Sequence, residues 1–193
     1  MSTGSVNLRR ADTRRNHERI LAAAAEALTR SGEVPFNSIA KQAGVGVGTV
    51  YRHFPTPEGL VLAVYQREVR QLVDVVPKLL AEHSPERAFR IWTTDHLAHY
   101  MMTKQGLAKA LGAAKSSHGQ LFANAHEAMV GAIGRLLEAN VEAGTVRAEL
   151  EPATVLRGLG GMLYLDPNGD WRKESASLTD LLWRGMRQDC CSD

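Results

Sequence analysis

The sequence predicts an all-α protein of about nine helices, a small N-terminal head followed by a larger helical body. Three observations carry that prediction. Ala- and Leu-rich stretches repeat their apolar residues every three to four positions. Seven prolines, with glycine-containing turns, separate those stretches. No run of alternating Val, Ile and Thr argues for a strand. The chain has 193 residues, 44% hydrophobic and 23% charged, which suits one large or two small soluble domains with a real core. No apolar run approaches the ~18–20 residues that cross a bilayer. The start, Met1-Ser2-Thr3-Gly4-Ser5, lacks the apolar core of a secretory signal. Cys190 and Cys191 are adjacent, a spacing at which pairing is rare, and no CxxC or Cys/His ladder offers zinc a site. The expectation is a cytoplasmic protein with no membrane span, disulfide framework, metal or cofactor.

The first helix spans about Arg15 to Ser31, with Ile20, Ala23 or Ala24, Ala27 and Leu28 on one face and Gly32 as its stop. Two short apolar segments follow, about Phe36–Ala43 and Val47–Phe54, joined by Gly44-Val45-Gly46. A fourth helix has a full start signal. Thr56 can cap it, Pro57 suits the first helical position, and Glu58 favours the positive end of the dipole. Leu60, Val61, Val64, Tyr65 and Leu72 continue its stripe. Ser84-Pro85-Glu86 repeats the start signal for a helix to about Thr103, and a shorter one covers about Gln105–Ala113. A long helix runs from about Ser117 to Ala143 and stops at Gly144. Glu151-Pro152 opens another, to about Leu165. The loop Asp166-Pro167-Asn168-Gly169-Asp170 separates it from a last helix at about Ser177–Arg187.

The segment Phe36–Phe54 carries the most information. Two short helices around a glycine-containing turn form a helix-turn-helix pattern. Ile39, Ala40 and Ala43 pack inward, and the two alanines let a second helix cross closely. Gly44 suits the left-handed conformation that ends a helix, and Val45 anchors the turn. On the second helix Val50 and Phe54, four apart, face inward. Thr49, Arg52 and His53 then fall largely outside, and Tyr51 carries a hydroxyl on a rigid arm.

Gly44-Val45, Gly48-Thr49-Val50-Tyr51, His53-Phe54-Pro55 and Glu58-Gly59-Leu60 succeed one another as turn, recognition helix and fourth-helix start. On these residues the chain resembles the DNA-binding domain of the TetR family of bacterial transcriptional regulators, over about residues 14–72. The resemblance implies double-stranded DNA as a partner. It sets Gly46, Val47, Thr49, Tyr51, Arg52 and His53 against DNA, with Tyr51 and His53 at backbone-contacting positions, and Asn37 and Ser38 against phosphate. Two positions depart from the family pattern. Gly46-Val47 stands where Ser-Lys is common, which removes a helix cap and a phosphate-directed charge. Arg52 stands where the second aromatic of a Tyr-Tyr pair is common. Arginine in a major groove reads guanine O6 and N7 or grips phosphate, and both roles stay open here. Val47 suits contact with a thymine methyl.

Charge distribution agrees. The formal net charge is only +2, but residues 1–56 hold 8 Lys/Arg against 4 Asp/Glu, and residues 57–193 hold 15 against 17. The basic head includes Arg9, Arg10, Arg14, Arg15, Arg19, Lys41 and Arg52. That density suits phosphate neutralisation and counterion release.

Residues 73–193 form the expected body, which the resemblance makes an effector-binding and dimerisation domain. Phe89, Trp92, His96 and Tyr100 share one helix face at spacings of three to four; His118, Phe122, His126 and Met129 share another. Converging, they would make an apolar pocket with a few polar groups, as ligand sites are; core packing is the alternative. His96, His99, His118 and His126 offer no close i, i+4 metal pair. Leu156, Leu159, Leu163, Leu178, Leu181, Leu182 and Met186 form apolar faces beside the cluster Gly158, Gly160, Gly161, which suits close helix packing. The resemblance implies that these last helices pair across a two-fold axis into a four-helix bundle.

The function expected is a homodimeric DNA-binding repressor that reads a pseudo-palindromic operator and is released by a small-molecule effector. Effector binding would shift the fourth helix, with Pro77 as a candidate joint. Two alternatives stay open. One is a regulator that answers to a protein partner or acts constitutively. The other is a helical enzyme with His96 or His126 as general base, for which no nucleophile-base-orienter set, phosphate loop or metal ladder speaks.

Overall fold

Helix α1 (Thr3–Ser31) is longer than expected, extending twelve residues N-terminal to Arg15. The computed structural model describes residues 3–114 and 119–187, with the side chains of residues 3–10, 113, 114, 119 and 121 left aside. His118, Cys190 and Cys191 lie outside the described residues. Among the described residues the all-α expectation holds, with α-helical segments, one π segment, one 3-10 segment and a single β-bridge between Val146 and Arg187. The chain divides into two compact units. One comprises Met1–Arg67 and Lys104–Gly119; the other comprises Glu68–Thr103 and Gln120–Asp193. The expected division of head from body at 72/73 falls inside α4 and places residues 104–119 with the body.

In the first unit α1 buries Ile20, Ala23, Ala24, Ala27 and Leu28. Helices α2 (Phe36–Ala43) and α3 (Val47–His53) follow, and α4 (Pro57–Asp74) begins here. The start of α4 is built as expected, with the Gly59 amide donating to the Thr56 hydroxyl at 3.1 Å. Helix α8 (Gln105–Ala114) packs on α1, where a Cβ on Gly106 would lie 1.9 Å from the Leu28 carbonyl oxygen. Only glycine permits so close an approach of two backbones.

In the second unit α5 (Val76–Glu82) takes Pro77 in its first turn, so the proline opens a helix after α4 has ended at Asp74. Helix α6 (Pro85–Ile91) runs into a π segment (Trp92–Ala98) and then α7 (His99–Thr103), in place of the single α-helix expected. The physical cause is visible at the entry. The Thr93 hydroxyl donates to the carbonyls of Phe89 and Arg90 at 3.0 and 2.9 Å, and that of Thr94 to Arg90 at 2.9 Å. These hydroxyls compete with backbone amides for the same carbonyls.

Helix α9 (Gly119–Glu142) brings Ala132, Ile133, Leu136 and Leu137 to the core. Buried Asn140 is fully used: it donates to the Pro85 and Leu136 carbonyls at 3.0 and 2.7 Å and accepts from Thr145 at 2.8 Å. Helix α10 (Pro152–Leu159) ends at the glycine cluster, and a 3-10 segment (Gly160–Tyr164) takes over where a helix to Leu165 was expected. Helix α11 (Trp171–Met186) starts six residues before the expected Ser177, because Asp170 caps it by accepting from the Lys173 amide at 3.3 Å.

Candidate nucleic-acid interface

Gly44 holds φ 64°, ψ 40°, the left-handed turn that the α2–α3 junction requires. Its missing Cβ would lie 2.4 Å from a terminal nitrogen of Arg19, so α1 closes over the turn. Ile39, Ala40, Ala43, Val50 and Phe54 are buried, as the spacing predicts. Val45 is only half-buried.

Helix α3 is preceded at its N-cap by Gly46, in extended conformation and without a side-chain cap. Val47 and Tyr51 project from it, 39% and 54% exposed, on the face expected to meet DNA. Tyr51 is braced from behind by Phe36, their ring centres 4.8 Å apart. Arg52 is exposed and lies back along its own helix. Its Nε donates to the Gly48 carbonyl at 3.3 Å and a terminal nitrogen to the Thr49 hydroxyl at 3.0 Å. Thr49 and His53 are half-buried. Asn37, Ser38 and Lys41 are exposed on α2, and Arg14 and Arg15 on α1, where Arg15 pairs with Asp12.

A cleft of about 450 Å³ lies between α1 and α3, lined by Thr13, Asn16, Thr49, Arg52 and His53. Thr13 and Asn16 were absent from the sequence expectation. They share one face of α1 at i, i+3 beside Arg14 and Arg15, a spacing that does not by itself place them against α3. His17 was missed as well: its ring centre lies 5.6 Å from that of His53 and 5.0 Å from that of Phe54. Burial, then His17, then Arg52 hold the His53 pKa below its ordinary value.

The expected effector-pocket residues do not converge on a described cavity. Phe89 and Trp92 are fully buried core residues. Phe89 packs on Trp183 with ring centres 5.3 Å apart, and the Trp92 indole donates to the Leu72 carbonyl at 2.8 Å. His96 and Tyr100 are half-buried, as is Phe122, and His126 is exposed. Burial holds the His96 pKa below its ordinary value, with Asp95 opposing and His99 adding to the shift. Open grooves of about 570 and 430 Å³ lie instead along Leu165–Leu181 and Gly134–Pro152, and none of the six residues lines either.

The expected dimer residues also divide. Leu159 and Met186 are buried within the chain itself. Leu156, Leu178 and Leu182 are half-buried; Leu163, Tyr164 and Leu181 are exposed at 58%, 92% and 68%. Among the described residues no cluster of three or more His, Cys, Asp or Glu could hold a metal, and no helix is long and apolar enough to cross a membrane.

The first unit is thus a basic helix-turn-helix head of the class that binds duplex DNA. Known proteins agree. Residues 20–64 match the family described as bacterial regulatory proteins, tetR family, and residues 84–188 match the transcriptional regulator SbtR-like C-terminal domain. A TetR transcriptional regulator of Streptomyces coelicolor is 35% identical, with a TM-score of 0.75 over 90% of this chain and 99% of that one. A TetR transcription regulatory protein of Mycobacterium vanbaalenii is 34% identical, with a TM-score of 0.74 over 93% and 99%. An HTH-type transcriptional regulator of Staphylococcus aureus MRSA252 is 33% identical over 39% of this chain and 41% of its own length. The chain spans about half the length of the curated relatives it matches. The chain belongs to the TetR family of transcriptional regulators: it is a DNA-binding transcription regulator and not an enzyme.

Proposed function

We propose that the chain acts in the cytoplasm as a homodimeric repressor that binds a pseudo-palindromic operator and leaves it when a small-molecule effector binds the body. The observation that supports the DNA side best is the α3 surface. Val47, Tyr51 and Arg52 are exposed beyond a turn fixed by Gly44, within a head of net positive charge. The two-fold partner is a second copy of this chain. The exposed Leu163, Tyr164 and Leu181 and the neighbouring groove along α11 support this, because patches of that kind are rare on monomers. The effector acts by binding one of two states better than the other, without touching DNA. Helix α4 begins in the first unit and ends in the second, so it is the element proposed to move.

Fluorescence-anisotropy binding to the DNA upstream of its own gene tests this reading. A salt-sensitive, sequence-selective complex is expected. Equal binding to random DNA at physiological salt would end the regulator reading. Arg52→Ala is expected to relax selectivity at one base pair; a uniform loss on all sequences makes Arg52 a phosphate contact. A second reading, regulation without a small-molecule effector, is favoured by the complete burial of Phe89 and Trp92.

A further inference from the structure

The groove of about 430 Å³ along Gly134–Pro152 is lined by none of the residues assigned so far to DNA, effector or dimer. Its floor is apolar. Buried Leu137 and half-buried Val141 come from α9, and half-buried Leu150 and Pro152 from the connection to α10. Its rim is acidic, with Glu138 and Glu142 exposed one turn apart on α9. No lysine, arginine or histidine lines it. Among the described residues no cation pairs with either glutamate.

The walls are fixed by backbone bonds. Gly144, at φ 67°, ends α9 in a left-handed turn; its amide donates to the Val141 carbonyl, and the Thr145 amide to the Asn140 carbonyl, both at 2.9 Å. Val146 is buried, and the Arg147 amide donates to the Met186 carbonyl at 3.1 Å. Pro152 then opens α10. The acidic rim stands where a helix tolerates it least. The C-terminal end of α9 is the negative pole of its dipole, its last turn holds no basic residue, and like charges four residues apart repel. A cation over the rim relieves both penalties.

We propose that this groove binds a small organic cation with an apolar body, its ammonium between Glu138 and Glu142 and its body along Leu137, Val141 and Leu150. The size fits. Ligand sites hold roughly 300–1,000 Å³, and the α9 stripe from 134 to 142 rises about 12 Å. Two carboxylates are too few for a divalent metal ion, which takes about six oxygens or more. Among the described residues no group of three or more His, Cys, Asp or Glu could hold one. An anion is repelled by the rim, and a neutral apolar molecule leaves the rim unused. The inference concerns binding at this groove and does not rest on the operator reading.

Methyl NMR of the full chain, titrated with phenylbutylamine, phenylbutyrate or phenylbutanol, tests this with three probes that share a body and differ in head group. The amine is expected to shift the Leu137, Val141 and Leu150 methyl resonances, the acid to leave them unmoved, and the alcohol to bind several-fold more weakly. Added salt weakens the amine. Glu138→Gln and Glu142→Gln, both on exposed positions, each weaken it by about two- to five-fold and together by about tenfold. Ala148→Trp, exposed on the wall, fills the groove and abolishes binding. Circular dichroism and melting of each variant confirm that it is folded. Equal binding of the three probes, shifts confined to other methyls, or wild-type affinity in the double variant overturns the proposal. A leucine–lysine helical peptide that shifts the groove methyls where the amine does not assigns the groove to a protein partner. Groove shifts on diluting the protein alone assign it to a second copy. Either result also overturns the proposal.

Discussion

Two glycine-to-alanine substitutions on one helix are expected to move stability in opposite directions. Gly106 and Gly112 both lie in α8. A Cβ at Gly106 would meet the Leu28 carbonyl oxygen at 1.9 Å and the Gly32 Cα and amide nitrogen at 3.0 and 3.1 Å. All three are backbone atoms, so no rotamer change relieves the contact. The helix must back away from α1 by more than an ångström, opening a gap along Leu107, which is 1% exposed. Overpacking of this kind costs about 1–3 kcal/mol, and loss of contacts along the separated face adds to it. Gly106→Ala is therefore expected to destabilise by about 3 kcal/mol. At Gly112 an added Cβ meets nothing within 4 Å. There alanine removes the backbone-entropy penalty of glycine and stabilises by about 0.5–1 kcal/mol. Urea denaturation followed by circular dichroism measures both from the midpoint at a common m-value. If Gly106→Ala falls within about 0.5 kcal/mol of the wild type, α8 does not pack on α1 as described.

Other perturbations follow from individual contacts. Thr56→Ala removes the acceptor for the Gly59 amide and is expected to cost about 1 kcal/mol in the same denaturation assay, with Thr56→Ser restoring most of it. Asn140→Ala takes the side-chain donor from the Pro85 carbonyl, while the Thr145 hydroxyl keeps the backbone carbonyl of residue 140 as acceptor, and is expected to cost about 1–3 kcal/mol; an unchanged midpoint would mean that water replaces the amide. Leu181→Glu, on an exposed position, is expected to shift the proposed dimer to monomer in sedimentation velocity, while a monomer that keeps its melting temperature shows that the residue serves the interface and not the core. An unchanged dimer would locate the two-fold contact elsewhere.

The head was largely legible in the sequence because its signals are local. A glycine must occupy the left-handed turn, two short helices must bury one face each, and Thr56-Pro57-Glu58 writes a helix start in three consecutive residues. The α1 side of the cleft was not legible. Thr13, Asn16 and His17 are polar residues whose role depends on where α3 crosses, which spacing along α1 does not encode.

In the body the leucine stripe of the last helix is not its buried face, for a specific reason. The buried face of α11 is Ser175, Thr179, Trp183 and Met186. Ser175 and Thr179 are tolerated there because their hydroxyls return to the helix's own carbonyls, at 2.9 Å to Arg172 and 2.8 Å to Ser175. The leucines at 178, 181 and 182 therefore lie on the outer and lateral faces, and the helix begins at Trp171, ahead of the expected Ser177. Phe89 and Trp92 have the spacing of a pocket wall, but periodicity does not distinguish a wall from a core.

The contact of Gly106 with Leu28 bears on the order in which the protein is made. The first unit is discontinuous: the ribosome delivers Met1–Arg67 early and Lys104–Gly119 only after 36 residues of the second unit. At about 5–20 residues per second, the chain emerges for roughly 3–10 s with the α1 surface lacking its α8 cover. Completing the head requires closure of a loop of some 75 residues between α1 and α8, a contact made late and at entropic cost. A helix-turn-helix fragment cut at the end of α4 would carry every residue of the recognition motif yet leave that patch of α1 uncovered. Newly made heads would therefore be incomplete until α8 arrives, and nascent chains would acquire the finished head only once Glu68–Thr103 of the second unit had been synthesised.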